Sequence, residues 1–295
     1  MRPFEYARPE SIDELLALLS AHGSNARLLA GGTDLLVRLR KRSAFGETGD
    51  MPEVVIDLKR VAGLRSDVKT MPAGIRIGAR AVMTDVIAHE TVLRYFPALI
   101  EAAIVVGSVQ IRNRATVAGN ICNASPAADT APALLVYGAS INVIGSGGSR
   151  QIPLDGLFAG PGRTVLARGE IVESIDLPLP PPRSGAAFGR LTRRHGVDLA
   201  IVSLCCLAQA SGEVRLAFGA VGPRPFLVRD DTGILIDKRA DPARRDAALQ
   251  RLLTSAAPIS DLRASDAYRY AMLPVLARRA LRTAIGRMRA AREPA

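Results

Sequence analysis

The sequence predicts an α+β protein of two domains, and three observations carry that reading. Short strand-like runs alternate with amphipathic helical patterns at the start, and short strands and turns fill the middle. A second run of strands is followed by helices at the end, an order that places helices on one side of a sheet. Pro178 and the run Pro180 to Pro182 interrupt the chain between these halves. With 295 residues, the chain exceeds what one core usually holds. The expected domains are 1–178, with subdomains of about 1–60 and 61–178, and 184–290.

Each element has a local reason. "SIDELLALLSAHG" puts Ile12, Leu15, Leu16 and Leu19 at helical spacing, with Ser11 as N-cap, Glu14 completing a capping box and Gly23 ending the helix. "ARLLAGG" is a short strand entering a glycine turn, and "TDLLVRLRKR" opens a helix that Thr33 or Asp34 can cap. "EVVIDLKRV" is a buried strand with a polar end, so the first sixty residues form a small βαβ-type module. From "IRIGARAVMTDVIAH" onward the pattern is short strands and turns, broken by a helical "FPALIEAAIVVGS". "GASINVIGSGGSRQIPL" reads as a β-hairpin turning at Gly145 to Gly148, and "GEIVESIDLPLPPP" as one more strand. Beyond the prolines, strands in meander order turn at "ASGEV" and give an expected three-stranded antiparallel sheet. The helices "DAALQRLLTSA" and "AYRYAMLPVLARRALRTAIGRM" close the chain, with Pro274 either starting or kinking the second.

Composition excludes several chemistries. The formal net charge of +11 fits a nucleic acid, an acidic protein, an anionic cofactor or simply solvated arginine faces. Aromatics make up only 4% and Trp is absent, so platforms for stacking single strands are scarce, and no nucleic-acid motif accompanies the charge. No apolar run approaches a membrane span and the start has no apolar signal core, which makes the cytoplasm the expected location. Cys122, Cys205 and Cys206 are too few for an iron–sulfur cluster and show no C-x-x-C spacing. Adjacent Cys205 and Cys206 on a strand point to opposite faces. His22, His89 and His195 lie far apart, so neither an internal metal centre nor a disulfide is expected. His195 in "RRHGVD" reads as a surface turn, "DLKR" and "ARRD" as solvated charge clusters, and Arg278 and Arg279 as a solvated helix face.

Two glycine segments stand out. "LLAGGTDLLV" sets Gly31 and Gly32 between apolar runs; some ninety residues later, Thr116 to Asp129 is a tract of small and polar residues between apolar flanks. An irregular stretch of that kind inside a domain is usually functional. Small side chains expose backbone N–H groups, and consecutive N–H groups form an anion nest, to which Thr116, Asn120, Asn123 and Ser125 can add side-chain bonds. Neither G-x-x-x-x-G-K-[ST] nor G-x-G-x-x-G is present. A turn explains the first segment alone and a surface loop the second; together they can share one diphosphate.

"RLLAGGTDLLVRLR", "QIRNRATVAGNICNASPAADTAPALLVYGA", "GEIVESIDLPLP", "LTRRHGVDLAIVS", "GAVGPRPF" and "SDLRASDAYRYAMLPVLARRAL" resemble the FAD-binding medium subunit of the molybdenum hydroxylases, the xanthine dehydrogenase and carbon monoxide dehydrogenase family. The resemblance runs the length of the chain. It implies a PCMH-type FAD-binding domain followed by the C-terminal domain of the carbon monoxide dehydrogenase flavoproteins. Leu28, Leu29, Ala30, Gly31, Gly32, Thr33, Asp34 and Leu35 match the first FAD loop, Asp34 being equally explicable as a helix cap. Thr116, Val117, Ala118, Gly119 and Asn120 match the second, where Ala118 replaces a family glycine. Asp129 matches an acid near the adenine–ribose end, and Val106 and Val172 fall where apolar residues line the cofactor. Arg190 falls where the family often has a lysine near the flavin; a surface arginine on a basic strand is the other reading.

The resemblance further implies non-covalent FAD as the redox group. Substrate oxidation would occur at a molybdenum cofactor, with electrons passing through [2Fe–2S] clusters to the flavin and then to NAD+, oxygen or a quinone. Three cysteines cannot hold those clusters, so the molybdenum-cofactor large subunit and the [2Fe–2S] small subunit are expected as separate chains in a hetero-oligomer. The arginine excess would suit docking onto them. A free-standing FAD-dependent oxidase, a basic nucleic-acid-binding protein and a subunit that has lost its cofactor are the alternatives.

Overall fold

The computed structural model describes residues 3–44 and 51–291. The chain opens with β1 (Glu5–Ala7), α1 (Ile12–His22), β2 (Ala26–Leu29), α2 (Leu35–Ala44) and β3 (Val54–Asp57), the order expected from the sequence. The three strands are parallel with β3 central. Ser11 caps α1 by accepting from the Glu14 N–H, and Leu15 and Leu19 turn into the core. The Glu14 carboxylate accepts from the N–H of Glu10 rather than of Ser11, so the capping box is displaced by one residue. The glycine loop after β2 leaves the sheet beside Asp57, the register partner of Leu29. Ligands of parallel sheets gather at such carboxyl ends.

A five-stranded antiparallel sheet follows, built from β4 (Val68–Met71), β5 (Gly74–Gly78), β6 (Ser140–Gly145), β7 (Gly148–Pro153) and, after the small β8 (Phe158–Gly160) and β9 (Arg163–Thr164) pair, β10 (Ile171–Pro178). The β6–β7 hairpin turns between Gly145 and Gly148, as expected. Between β5 and β6 lie six helices: α3 (Met83–Ala88), α4 (Glu90–Tyr95), α5 (Pro97–Ile104), α6 (Val109–Arg112), α7 (Val117–Cys122) and α8 (Thr130–Val136). The expected strands and turns around Met83 are therefore helical. Helices α3 and α4 are only six residues long and lack side-chain caps, which leaves too little pattern to recognise.

The C-terminal sheet has four antiparallel strands, not three: β11 (Ser184–Leu191), β12 (Val202–Gln209), β13 (Val214–Gly219) and β14 (Phe226–Asp230). The unforeseen β14 is an edge strand paired to β13 alone, and the prolines just before it mask it as a turn. Then come α9 (Pro242–Leu253) and α10 (Asp266–Ala290). Helix α10 starts eight residues before Pro274 and continues through it. No helix among the described residues is long and apolar enough to cross a membrane.

Both faces of this sheet are covered. Cys205 and Leu207 join the core shared with the five-stranded sheet and α5, α7 and α8, whereas Leu204 and Cys206 join the core under α9 and α10. The two adjacent cysteines thus occupy different cores. Arginines tie the sheet to the preceding part of the chain: Arg215 donates to the Val136 carbonyl at 3.2 Å and Arg224 to the Phe158 carbonyl at 2.9 Å. Glu101 on α5 accepts from the Phe188 N–H at 2.8 Å and pairs with Arg287 of α10. Glu101→Ala removes both partners at once, and a destabilisation of about 1–2 kcal/mol is expected. Unchanged thermal unfolding would contradict that expectation.

Candidate functional site

The two glycine segments meet. A Cβ built on Gly31 would lie 2.1 Å from the Arg114 carbonyl oxygen and 3.0 Å from the Ala115 Cα. Gly31 is therefore bare because the second segment's backbone lies against it. Gly32 has φ +77°, the left-handed region, and makes the turn into α2. Thr33 and Asp34 form the turn that leads into α2, and Asp34 is exposed. Leu28 and Leu29 end β2 and Ala30 follows it, all three half-buried, and Leu35 begins α2.

The second segment is more ordered than its composition suggests. Thr116 is buried and caps α7, its Oγ1 accepting from the Gly119 N–H at 2.9 Å. The Ala115 carbonyl accepts from the Met83 N–H at 2.9 Å, and the Val117 N–H donates to the Ala81 carbonyl at 3.4 Å. The Asn120 and Asn123 N–H groups are bonded within the helix. The expected row of free N–H groups is thus largely consumed by α7. Val117 and Ala118 belong to the core, so the methyl of Ala118 packs inward.

Cations replace the nest. A cavity of about 70 Å³ between the segments is lined by Ala30, Lys59, Arg80, Val82, Asn113, Arg114 and Thr116. Lys59 is neutralised by Asp57, 2.8 Å from its Nζ. Arg80 donates to the carbonyls of Leu58 and Lys59, and among the described residues it has no carboxylate partner and its buried Nε no partner at all. Arg114 is exposed at the rim. The sequence reading missed these three; the signal available was an arginine set among small residues in "GARAV" and one beside the second glycine segment. "DLKR" is not a solvated cluster, because Asp57 is buried and bonded to Tyr6 Oη and Lys59.

A second constellation sits at the other end of α7. Thr130 Oγ1 donates to Asn120 Oδ1 at 2.6 Å. Next to it, buried Asp129 accepts from Arg190 Nη1 at 2.8 Å. Arg190, on β11, also donates to the carbonyls of Asp198 and Gly196. Asp129 Oδ1 is buried with no partner, and burial pushes this carboxyl up to about 6 against the pull of Arg190. Such an orphaned oxygen is costly unless a donor reaches it. Arg190 is thus a covered clamp rather than a surface arginine. Direct contact also conflicts with placing Asp129 at the ribose end and Arg190 at the flavin end of one extended dinucleotide. Thr116 and Asn120 are four helical residues apart, about 6 Å along α7 at 1.5 Å per residue.

Val106, at the end of α5, and Val172, on β10, pack against or within the first core, and neither lines the cavity. His195 is exposed in a bend, and Arg278 and Arg279 are exposed on α10. In "ARRD", Arg244 and Asp246 are exposed.

The arrangement fits a dinucleotide with a charged middle. The cavity is far below the ~300–1,000 Å³ that encloses a whole small ligand, and its size and cationic lining suit a phosphate group. A family described as the FAD binding domain in molybdopterin dehydrogenase matches residues 2–180. The CO dehydrogenase flavoprotein C-terminal domain matches residues 186–284. The carbon monoxide dehydrogenase medium chain of Hydrogenophaga pseudoflava is 32% identical over 288 residues, covering 96% of this chain and 98% of that one. The xanthine dehydrogenase FAD-binding subunit of Escherichia coli O157:H7 is 30% identical over 286 residues, covering 95% of each. The solved carbon monoxide dehydrogenase of H. pseudoflava matches with a TM-score of 0.86 and 32% identity, over 97% of this chain and 99% of that chain. With both halves matched in sequence and the whole matched in fold, the chain belongs to the FAD-binding medium subunits of the molybdenum hydroxylases, as a flavoprotein component of an oxidoreductase.

Proposed function

We propose that this chain is the electron-exit subunit of a multi-subunit molybdenum hydroxylase, taking electrons from [2Fe–2S] clusters on a partner and passing them to an external acceptor. The observation that carries this reading is the fate of the three thiols. Cys205 and Cys206 lie in separate cores and Cys122 packs against the first of them, and burial pushes the Cys122 thiol up to about 12. Thiolates are the form that binds metal, so these residues do not suit a cluster. FAD is then the redox group this chain contributes, with molybdenum and iron–sulfur chemistry on other polypeptides.

Bound FAD supplies the redox chemistry, collecting electrons from one-electron carriers and releasing them in pairs. The protein's part is to hold and tune it. Arg80 and Arg114 would face the diphosphate, with Gly31 setting the distance between the two loops. Asp129 Oδ1 would accept from a cofactor hydroxyl, and Arg190 would keep that carboxyl ionised rather than touch the flavin.

Flavin retention tests the binding half. The isolated chain, desalted after exposure to FAD and FMN, is expected to keep about one FAD and no FMN. Retention of FMN, or of neither, would overturn it. The relay half predicts that the flavin is reduced by the holoenzyme's substrate only when molybdenum- and iron-containing subunits are present. Reduction by substrate with the isolated chain would instead identify a free-standing oxidase.

A further inference from the structure

We infer that the two loops at residues 193–199 and 259–264 form the surface on which an acidic-faced partner subunit docks; this rests on the multi-subunit reading above. Four large apolar side chains crowd these loops. Leu262 is 99% exposed and Ile259 70%, with Val197 and Leu199 about half exposed. Isolated exposed apolar residues need no explanation, but a contiguous set marks an interaction site.

The loops are neighbours and are held firmly. Arg193 donates to the Leu262 carbonyl at 3.3 Å. Arg269, buried on α10, bonds the Ile201 and Ala220 carbonyls with one nitrogen and reaches Asp261 at 2.7 Å with another. Arg194 closes the first loop onto the Val197 carbonyl. Such bonding lowers the entropy lost on association.

Charge decides the occupant. The carboxylates of the two loops are engaged by arginines: Asp198 is 8% exposed beside Arg193, and Asp261 is held by Arg263 and Arg269. Arg193, Arg194 and Arg263 remain towards solvent around the apolar residues. A second copy of this chain would bring the same guanidiniums against each other and add to a net charge of +11. A different protein, apolar at the centre and rimmed with carboxylates, fits. The surface also adjoins the candidate site, because Arg190 bonds the Gly196 and Asp198 carbonyls.

The test uses the tagged full-length chain expressed in its native host, with molybdenum, iron and FAD measured in the purified material. Leu262→Asp and Arg193→Glu are expected to cut molybdenum and iron at least tenfold while FAD content and thermal unfolding stay at wild-type values. Ile104→Asp, on another exposed position, is expected to change none of these. If both loop variants keep wild-type molybdenum and iron, the docking surface is wrong and the subunit reading stands. If the wild-type chain itself carries neither metal, both fail. A native mass of twice the chain, lost in Leu262→Asp, would assign the surface to a second copy instead.

Discussion

Gly31→Ala is expected to abolish stable FAD retention, with at least a tenfold loss of affinity. The added methyl would lie 2.1 Å from a backbone oxygen, that of Arg114, and 2.8 Å from its carbonyl carbon. Real contacts of that kind do not exist, so one of the two loops must move. Neither moves freely: Ala115 is bonded to Met83, and Thr116 is bridged to Val82. Overpacking of this type costs about 1–3 kcal/mol, and for a domain of this size each kcal/mol lowers Tm by about 2–4 °C. The loss of cofactor should exceed the loss of stability, because the displaced segment carries Arg114 and Thr116 into the cavity lining. Gly32→Ala is a useful contrast. Its methyl would meet the end of the Leu29 side chain, which can rotate, and the penalty is mainly the left-handed backbone, about 1–2 kcal/mol. Equal FAD retention in Gly31→Ala and wild type would show that the two loops do not jointly hold the cofactor.

That contrast shows what a sequence carries and what it hides. Gly32 is legible because a turn between a strand and a helix is a local event. The same holds for Ser11 before α1 and for the opposite cores of Cys205 and Cys206, which follow from strand alternation. Gly31 is not legible in this way, since the backbone that forbids its side chain lies more than eighty residues later. Asp57 looks solvated in "DLKR" because Tyr6, its hydrogen-bond partner, is 51 residues away. The irregular tract after Thr116 misled for a different reason. Its small residues do form a core, but only against β10 and α8, so alanines that look like a surface loop are buried between larger neighbours. The sequence leaves the arginine excess open between an anionic partner or cofactor and solvated faces. Arg190, Arg215, Arg224, Arg269 and Arg287 instead bond backbone carbonyls that other elements leave open, a role for which the planar, many-donor guanidinium is well suited. The family resemblance said nothing of Arg80, which lines the cavity with a buried Nε that has no partner among the described residues.

The Asp129–Arg190 pair joins the candidate site to the C-terminal sheet, and breaking it from either side should give different results. Asp129→Asn keeps the shape but leaves the Arg190 guanidinium, 11% exposed, without a countercharge. Because burial already disfavours the anion, the neutral amide should change stability little near pH 7, whereas FAD retention should fall at least tenfold as the ionised acceptor is lost. Arg190→Met removes the contact that holds the value down, so a carboxyl already raised to about 6 should take a proton at higher pH than in wild type. The pH dependence follows from the same group. Its folded-state value of about 6 lies above the ordinary 3.8, so the folded protein holds a proton that the unfolded chain releases. The group's contribution to stability is therefore fully present below pH ~4 and is lost as pH rises through about 6. That gap corresponds to about 3 kcal/mol. Asp176, hydrogen-bonded by Arg76, and Asp57, where the upward push of burial is outweighed by Lys59 and Tyr6, are held below their ordinary range and act at lower pH. Unfolding measured between pH 4 and 7 without added flavin should show wild type losing stability across pH 5–6, with Asp129→Asn flat over that interval. Identical slopes in the two proteins would mean that Asp129 stays ionised throughout, and the unpartnered oxygen would then lack the proton-linked energy assigned to it. Added FAD gives the complementary reading. A cofactor hydroxyl donating to Oδ1 favours the ionised carboxylate, so FAD should shift the wild-type transition to lower pH and leave Asp129→Asn unmoved.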